Sequence, residues 1–213
     1  MQIKDKINWV YNSKNEKELA ERYNTWANDY DSDLEDRGGY IAPQRVVETL
    51  AKYLPKDAKI LDAGVGTGLV GKVLFQHGYS NLEGLDLSPG MLEKAAEKNI
   101  YTALHHKVMG ETLGFPPDSF DGIVSVGVLT YGHAPSSSFD ELIRITKPGG
   151  YIIFPLVIDF YNTSDFKEKM ANLEKSGHWH LVSLGEKFRP LPKLEPDTYY
   201  KIWVYRVSHQ PSP

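Results

Sequence analysis

An α/β fold, with a parallel sheet covered by helices on both faces, is predicted for this chain by three observations. Strand-like and helix-like patterns alternate between positions 59 and 158. A glycine loop, AGVGTGLVGKV at 63–73, follows a short apolar run. Two acidic residues, Asp62 and Asp86, stand at the ends of the first two strand-like runs. Unbroken apolar runs of that kind suit strands buried on both faces, as parallel strands are.

The elements follow in order. Ser13-Lys14-Asn15-Glu16 reads as a capping box, and it opens a helix with Leu19, Tyr23, Trp26, Ala27 and Tyr30 on one face. A second helix is predicted over 43–53, where Val46, Val47 and Leu50 recur at helical spacing and Pro43 suits the first turn. Residues 59–63 read as strand, 68–76 as helix ended by Gly78, 82–87 as strand, and 88–98 as helix capped by Ser88 with Pro89 behind it. A weaker strand near 101–107, a strand at 122–126 and a helix at 139–146 come next. The turn Lys147-Pro148-Gly149-Gly150 then leads into the apolar run 151–158. The last third offers a helix at 165–176 and two strand-like segments, 178–188 and 199–207, joined by the proline-rich 189–196 as a closing β-hairpin arm. The ends, 1–12 and 208–213, read as frayed.

At 213 residues and 41% hydrophobic content the chain can bury a sizeable core, and its length suits one domain. Within that domain we expect a helical lid over 1–40, a cofactor-binding core over 41–158 and a helix with a hairpin arm over 159–213. The 28 acidic and 24 basic side chains nearly balance, and no run of Lys and Arg forms the basic stripe that nucleic acid would require. With no cysteine, disulfides and thiolate metal sites are excluded, and the seven histidines show no metal-ligand spacing, so no metal is expected. Neither a signal segment nor a membrane-length apolar span is visible, which predicts a cytoplasmic protein without membrane contact. Nothing in the sequence indicates an oligomer.

The glycine loop fits three cofactor templates. Gly66, Gly71 and Lys72 spell most of an ATP-type phosphate loop, but Val73 stands where a Ser or Thr would hold magnesium. Gly66, Gly68 and Gly71 spell a dinucleotide loop, which would set a pyrophosphate against Asp62. Two like charges about 4 Å apart repel by roughly 4 kcal/mol at an effective dielectric near 20, and the same term attracts an ammonium. Asp62 therefore predicts a cationic ligand group. S-adenosylmethionine, with an ammonium, a carboxylate and a ribose but no phosphate, fits that sign. Gly64 and Gly66 would then admit the aminoacyl part, Gly68 would let the next helix pack closely, and Asp86 would accept from the ribose hydroxyls. Dinucleotide folds also place an acid at the position of Asp86.

Taken together, ILDAGVGTG, GLDLSPGML, FPPDSFDGIVSVGVL and ITKPGGYIIF resemble the successive motifs of class I S-adenosylmethionine-dependent methyltransferases. RYNTWANDYD and GVGTGLVGKV are most similar to the methyltransferase-like branch named for the Williams-Beuren syndrome region. The resemblance covers 22–156 and implies a doubly wound, Rossmann-like sheet of seven strands with an antiparallel last strand. It implies Asp62 and Gly64 at the aminoacyl end, Asp86 at the ribose, Met91 against the adenine, and Gly110 and Glu111 near the adenine amino group. Leu87 and Val126, beside the strand ends, complete the core contacts. It also implies that the N-terminal aromatic helix covers the cofactor as a lid, with Tyr23, Trp26 and Tyr30 as contacts.

His133 and Tyr131 follow the fourth strand, at the carboxyl edge where doubly wound sheets gather their ligands, and are the candidates to face an acceptor. The expected function is methyl transfer from S-adenosylmethionine to a small molecule by in-line displacement, in which positioning supplies most of the acceleration and a base is optional. Two alternatives stay open at this point: a cofactor-binding protein without catalysis, and a nicotinamide-dependent oxidoreductase, which shares the alternation and Asp86 but not the sign at Asp62.

Overall fold

Each strand-like run becomes a strand of one mixed sheet in the computed structural model, which describes residues 1–208. The chain runs α1 (Ile3–Tyr11), α2 (Glu16–Asp31), a π-helical turn (Ser32–Gly38), α3 (Ala42–Leu50), β1 (Ile60–Ala63), α4 (Leu69–Gln76), β2 (Leu82–Asp86), α5 (Pro89–Glu97) and β3 (Ala103–His106). It continues through β4 (Phe120–Val124), α6 (Ser138–Ile145), β5 (Thr146–Val157), α7 (Ile158–Thr163), α8 (Phe166–Lys175), β6 (Trp179–Leu184) and β7 (Tyr200–Val207). The sheet order is β3-β2-β1-β4-β5-β7-β6, parallel from β3 to β5, with β7 antiparallel to both its neighbours. This is the seven-stranded sheet with an antiparallel last strand that the resemblance implies. Strand order reverses between β1 and β4, which opens a crevice at their carboxyl ends.

All four residues of β1 are buried, Asp62 included, as expected of a central parallel strand covered on both faces. One layer against the sheet is aromatic, with Trp179 and Tyr205 stacked at 4.1 Å and Phe139 tilted against Phe154 at 5.0 Å. The opposite layer packs Val46 and Leu50 of α3 and Leu74 of α4 against Ile60, Leu82 and Val204. A third cluster lies apart, with Ile7, Val10, Leu19, Trp26 and Leu34 gathered around Leu191 from the connection between β6 and β7. A Cβ on Gly38 would stand 2.9 Å from both Leu191 and Leu194, so this connection is packed tightly onto the N-terminal helices.

Four expectations need correction. Residues 3–11 are a helix rather than a frayed end, because Ile7 and Val10 bury in the third cluster. The cap of the aromatic helix is Asn15, whose side chain accepts from Glu18 N–H at 2.9 Å, while Ser13 closes α1 by donating to the Val10 carbonyl at 2.7 Å. Ser13 is thus taken by the preceding helix, and the N-cap falls two positions later. The expected turn at 147–150 is the irregular start of β5, whose register on β4 shifts between Phe120 and Gly122. The strand expected over 178–188 ends at Leu184, and Phe188 keeps only an isolated bridge to Tyr200. Of the tail expected to fray, Ser208 donates to the His178 carbonyl at 2.9 Å, and residues 209–213 lie outside the described residues. Among the described residues no helix is long and apolar enough to cross a membrane.

Candidate cofactor and acceptor site

The glycine loop leaves β1 at the switch point. Gly64 has φ +87° and its Cβ would stand 2.0 Å from a Val128 methyl, whereas around a Cβ on Gly66 nothing lies within 4 Å. Gly64 is therefore a close approach of two loops, and Gly66 presents bare backbone to open space. Gly71, third glycine of the dinucleotide reading, has another role: its Cβ would fall 2.0 Å from the Tyr101 hydroxyl. That hydroxyl donates to Asp62 Oδ2 at 2.8 Å. The spacing that imitates a pyrophosphate loop makes room for a phenol.

Asp62 is 1% exposed, and its Oδ1 has no partner. Burial pushes its carboxyl up to about 7, against the Tyr101 hydrogen bond and with help from the nearby Asp86. Asp86 Oδ2 accepts from Gly66 N–H at 2.8 Å and Oδ1 from Ser88 N–H at 2.9 Å, so it ties the first loop to the cap of α5. Burial raises the Asp86 carboxyl too, while those backbone donors hold it down.

A cleft with about 710 Å³ of empty space, its open solvent side included, lies over the carboxyl ends of β1, β2 and β4. Gly64, Gly66, Asp86, Leu87, Met91 and Val126 line it from the core, Tyr23 and Tyr30 from α2, and His133 from the loop after β4. Other expected positions lie elsewhere. Asp62 is not in the wall. Gly68 caps α4 in a left-handed conformation. Trp26 shares the α2 face of Tyr23 and Tyr30, but its indole N–H donates to buried Asp33 at 2.8 Å, which draws the ring into the lid's own core. Gly110 is held against Pro135, and Glu111 is exposed; the wall at this depth is Lys107, Val108 and Met109. Sequence reasoning missed that wall because one lysine and two apolar side chains match no cofactor motif; their place directly after β3 was the available signal.

Tyr131 is 45% exposed, with its ring against Phe160 at 4.7 Å. Only its carbonyl reaches the site, 2.7 Å from His133 Nδ1. Since a carbonyl can only accept, Nδ1 carries the proton, and His133 Nε2 accepts from the Tyr23 hydroxyl at 2.7 Å. Burial lowers the His133 pKa, so the imidazole is neutral near pH 7. Further contacts fasten α2 across the loops: Asn24 Oδ1 accepts from Ser88 Oγ at 2.7 Å and Gly90 N–H at 2.8 Å, and Asp31 pairs with Lys98 at 2.7 Å. In the buried Asp33, burial alone would raise the carboxyl, but Lys6 at 2.6 Å and Trp26 hold it below the usual range.

This fold and site define a class I S-adenosylmethionine-dependent methyltransferase, and the chain belongs to that family. The family model described as a methyltransferase domain matches residues 61–154. The chain is similar to methyltransferase-like protein 27 of Homo sapiens, 38% identical over 165 residues, which is 74% of this chain and 66% of that protein's length. The fold is shared with a putative methyltransferase solved in complex with the Haloferax volcanii Trm112 activator, at TM-score 0.70 and 18% identity over 91% of this chain and 99% of that one. It is shared as well with the [4+2]-cyclase SpnF, at TM-score 0.73 and 15% identity over 91% of this chain and 96% of that one. S-adenosylmethionine is the family's cofactor. The residues present fit it: bare backbone at Gly66, a buried carboxylate oxygen without a partner on Asp62, a second carboxylate on Asp86 and an apolar wall at Met91.

Proposed function

We propose that this protein transfers a methyl group from S-adenosylmethionine to a small-molecule acceptor by in-line displacement. When bound, the cofactor supplies an electrophilic methyl group. The chain's own residues bind, orient and exclude water: Asp62 offers a carboxylate to the cofactor's ammonium, Asp86 to its ribose hydroxyls, and Leu87, Met91, Val108 and Met109 form the wall for its adenine. Residues 1–40 act as the lid, 41–158 as the cofactor core and 159–213 as the flanking arm. The observation that carries the reading is a cavity closed by α2 over the glycine loop and the buried Asp86 carboxylate. A cavity under such a cover admits small molecules more readily than a protein surface or a nucleic acid.

A strong base is absent from this reading. The His133 lone pair is already engaged by Tyr23, so His133 acts first by positioning the lid, and it can accept an acceptor's proton only once Tyr23 turns away. Tyr131 serves through its carbonyl. Acceleration then comes mainly from alignment and exclusion of water.

The test is incubation of a metabolite extract with methyl-labelled S-adenosylmethionine and the purified protein. A labelled product that depends on the protein supports the reading. Tight binding of S-adenosylmethionine with no label transferred from any extract would make it a cofactor-binding protein instead.

A further inference from the structure

One demand of the cofactor is left unmet by the wall already described. An adenine carries an amino group, which donates hydrogen bonds, and the side chains of Leu87, Met91, Val108 and Met109 give it nothing to donate to. Glu111, which the resemblance sets near that group, is exposed and outside the wall, and the Gly110 before it is held against Pro135. Among the described residues the cleft is lined by three charged side chains, Asp86, Lys107 and Glu16. Asp86 is engaged by the Gly66 and Ser88 amides, with the ribose as its proposed partner, and the Lys107 ammonium can only donate. Glu16 is the carboxylate that remains.

Its place follows from the way α2 crosses the sheet. At the carboxyl end of the helix, Asp31 pairs with Lys98 at 2.7 Å and accepts from the Thr67 hydroxyl, in the glycine loop after β1. Seven residues earlier, Asn24 holds Ser88 and Gly90, just after β2. Glu16 lies eight residues earlier still, about 12 Å on at 1.5 Å per residue, in the direction that leads from β1 over β2 to β3. Neighbouring strands stand about 4.8 Å apart, so that distance carries the helix past β2 to the β3 side. Lys107 leaves β3 there, its N–H donating to the Asp86 carbonyl at 3.0 Å, and Lys107, Val108 and Met109 share the cleft wall with Glu16 and Leu19. The carboxyl end of α2 thus covers the glycine loop, and its amino end covers the adenine wall.

Glu16 is also unengaged. In the same turn Glu18 donates its N–H to the Asn15 cap, accepts from Lys14 N–H at 2.7 Å and pairs with Arg22, whereas Glu16 makes no hydrogen bond or ion pair among the described residues. The helix dipole favours acids in this first turn, and Glu18 already meets that preference; lining the cleft sets Glu16 apart.

We infer that Glu16 is a specificity residue for the cofactor, its carboxylate accepting a hydrogen bond from the adenine amino group when α2 closes. This rests on the methyl-transfer reading above and gives the lid a second task, reading the base as well as excluding water. No bond is made or broken at Glu16.

The experiment is titration calorimetry on the full chain with two ligands, S-adenosylhomocysteine and its deamino analogue, in which hydrogen replaces the amino group of the adenine. Wild type should bind S-adenosylhomocysteine about five- to tenfold more tightly than the analogue, the effect of one charge-assisted hydrogen bond to an exposed carboxylate. Glu16→Ala should abolish that preference, and Glu16→Gln should keep part of it. The analogue should bind wild type and Glu16→Ala equally, which shows that the variant is folded and isolates the amino group. Glu111→Ala should leave the preference whole. Equal binding of the two ligands by wild type, a preference that survives Glu16→Ala, or one that is lost in Glu111→Ala overturns the inference. Failure of both ligands to bind wild type would instead remove the methyl-transfer reading beneath it. As a second readout, amide exchange across 13–33 should be slowed more by S-adenosylhomocysteine than by the analogue at equal saturation, and equal slowing counts against a lid that reads the base.

Discussion

The Tyr101 hydroxyl reaches Asp62 Oδ2 at 2.8 Å through the space that a side chain on Gly71 would occupy. This single contact makes the ionisation of Asp62 depend on a residue 39 positions away. Tyr101→Phe removes a bond that lowers the Asp62 pKa, so the carboxyl, already near 7, rises further. Binding of a cofactor ammonium requires the ionised form. The wild-type affinity for S-adenosylmethionine should therefore climb as pH rises through about 7 and level off above it. In Tyr101→Phe the climb should move to higher pH, with affinity at pH 7 about five- to thirtyfold weaker, a loss of about 1–2 kcal/mol. Calorimetric titrations between mildly acidic and mildly alkaline pH check this, and superimposable profiles would exclude it. Gly71→Ala should act the same way, because its methyl displaces the phenol.

Asp62→Asn should stabilise the ligand-free protein while removing cofactor binding. The folded-state pKa of Asp62 is raised, so above its unfolded value of 3.8 the folded chain holds a proton that the unfolded chain releases. The Asp62 contribution therefore falls as pH rises from about 4 to about 7 and stays low beyond. Relative to wild type, Asp62→Asn should gain on the order of 1–4 kcal/mol near pH 8, and little near pH 4. Urea melts at the two pH values measure the difference, and a gain independent of pH would assign it to something other than ionisation.

Asp86→Ala should weaken S-adenosylhomocysteine by about 1.5–3 kcal/mol, ten- to a hundredfold, through lost charge-assisted hydrogen bonds. Because Asp86 also holds the Gly66 and Ser88 amides, Asp86→Asn should be the milder change. An unchanged dissociation constant in a folded Asp86→Ala protein would reject its place at the ribose.

His133→Ala should slow transfer by about tenfold, less than the hundredfold or more that loss of a general base costs. His133→Gln, which still offers an acceptor to Tyr23, should restore most of that loss. A thousandfold drop that Gln does not rescue would make His133 the base.

Amide exchange across 13–33 should be faster in the free protein than in the S-adenosylhomocysteine complex, while β1, β4 and β5 change little. Asn24→Ala, which cuts the bonds to Ser88 and Gly90, should speed exchange in that segment further. Equal protection with and without ligand would show that the segment belongs to the static core.

Local signals carried much of this structure. Alternating runs, the glycine loop and Ser88 as a cap predicted the core elements within a few residues, because burial and capping act over one or two turns. The aromatic face of α2 was legible too, but which ring meets the cavity was not. Trp26 is turned away by Asp33, whose own burial depends on Lys6 in a different helix. Tyr101 was silent for the same reason: its surroundings are assembled by the fold, and nothing adjacent in the chain marks it. Ser13 failed differently, since two helices competed for one hydroxyl and the earlier one took it.

The packing of Leu191 and Leu194 against Gly38 sets an order of events during synthesis. The lid emerges from the ribosome before the core, yet the surface that receives it lies roughly 150 positions later, on the connection to β7. Until that connection is made, Ile7, Val10 and Trp26 lack part of their cover, and the chamber stays open. A nascent chain halted before β7 would have its glycine loop but no finished lid, so competence to retain the cofactor should appear only once that connection has been made.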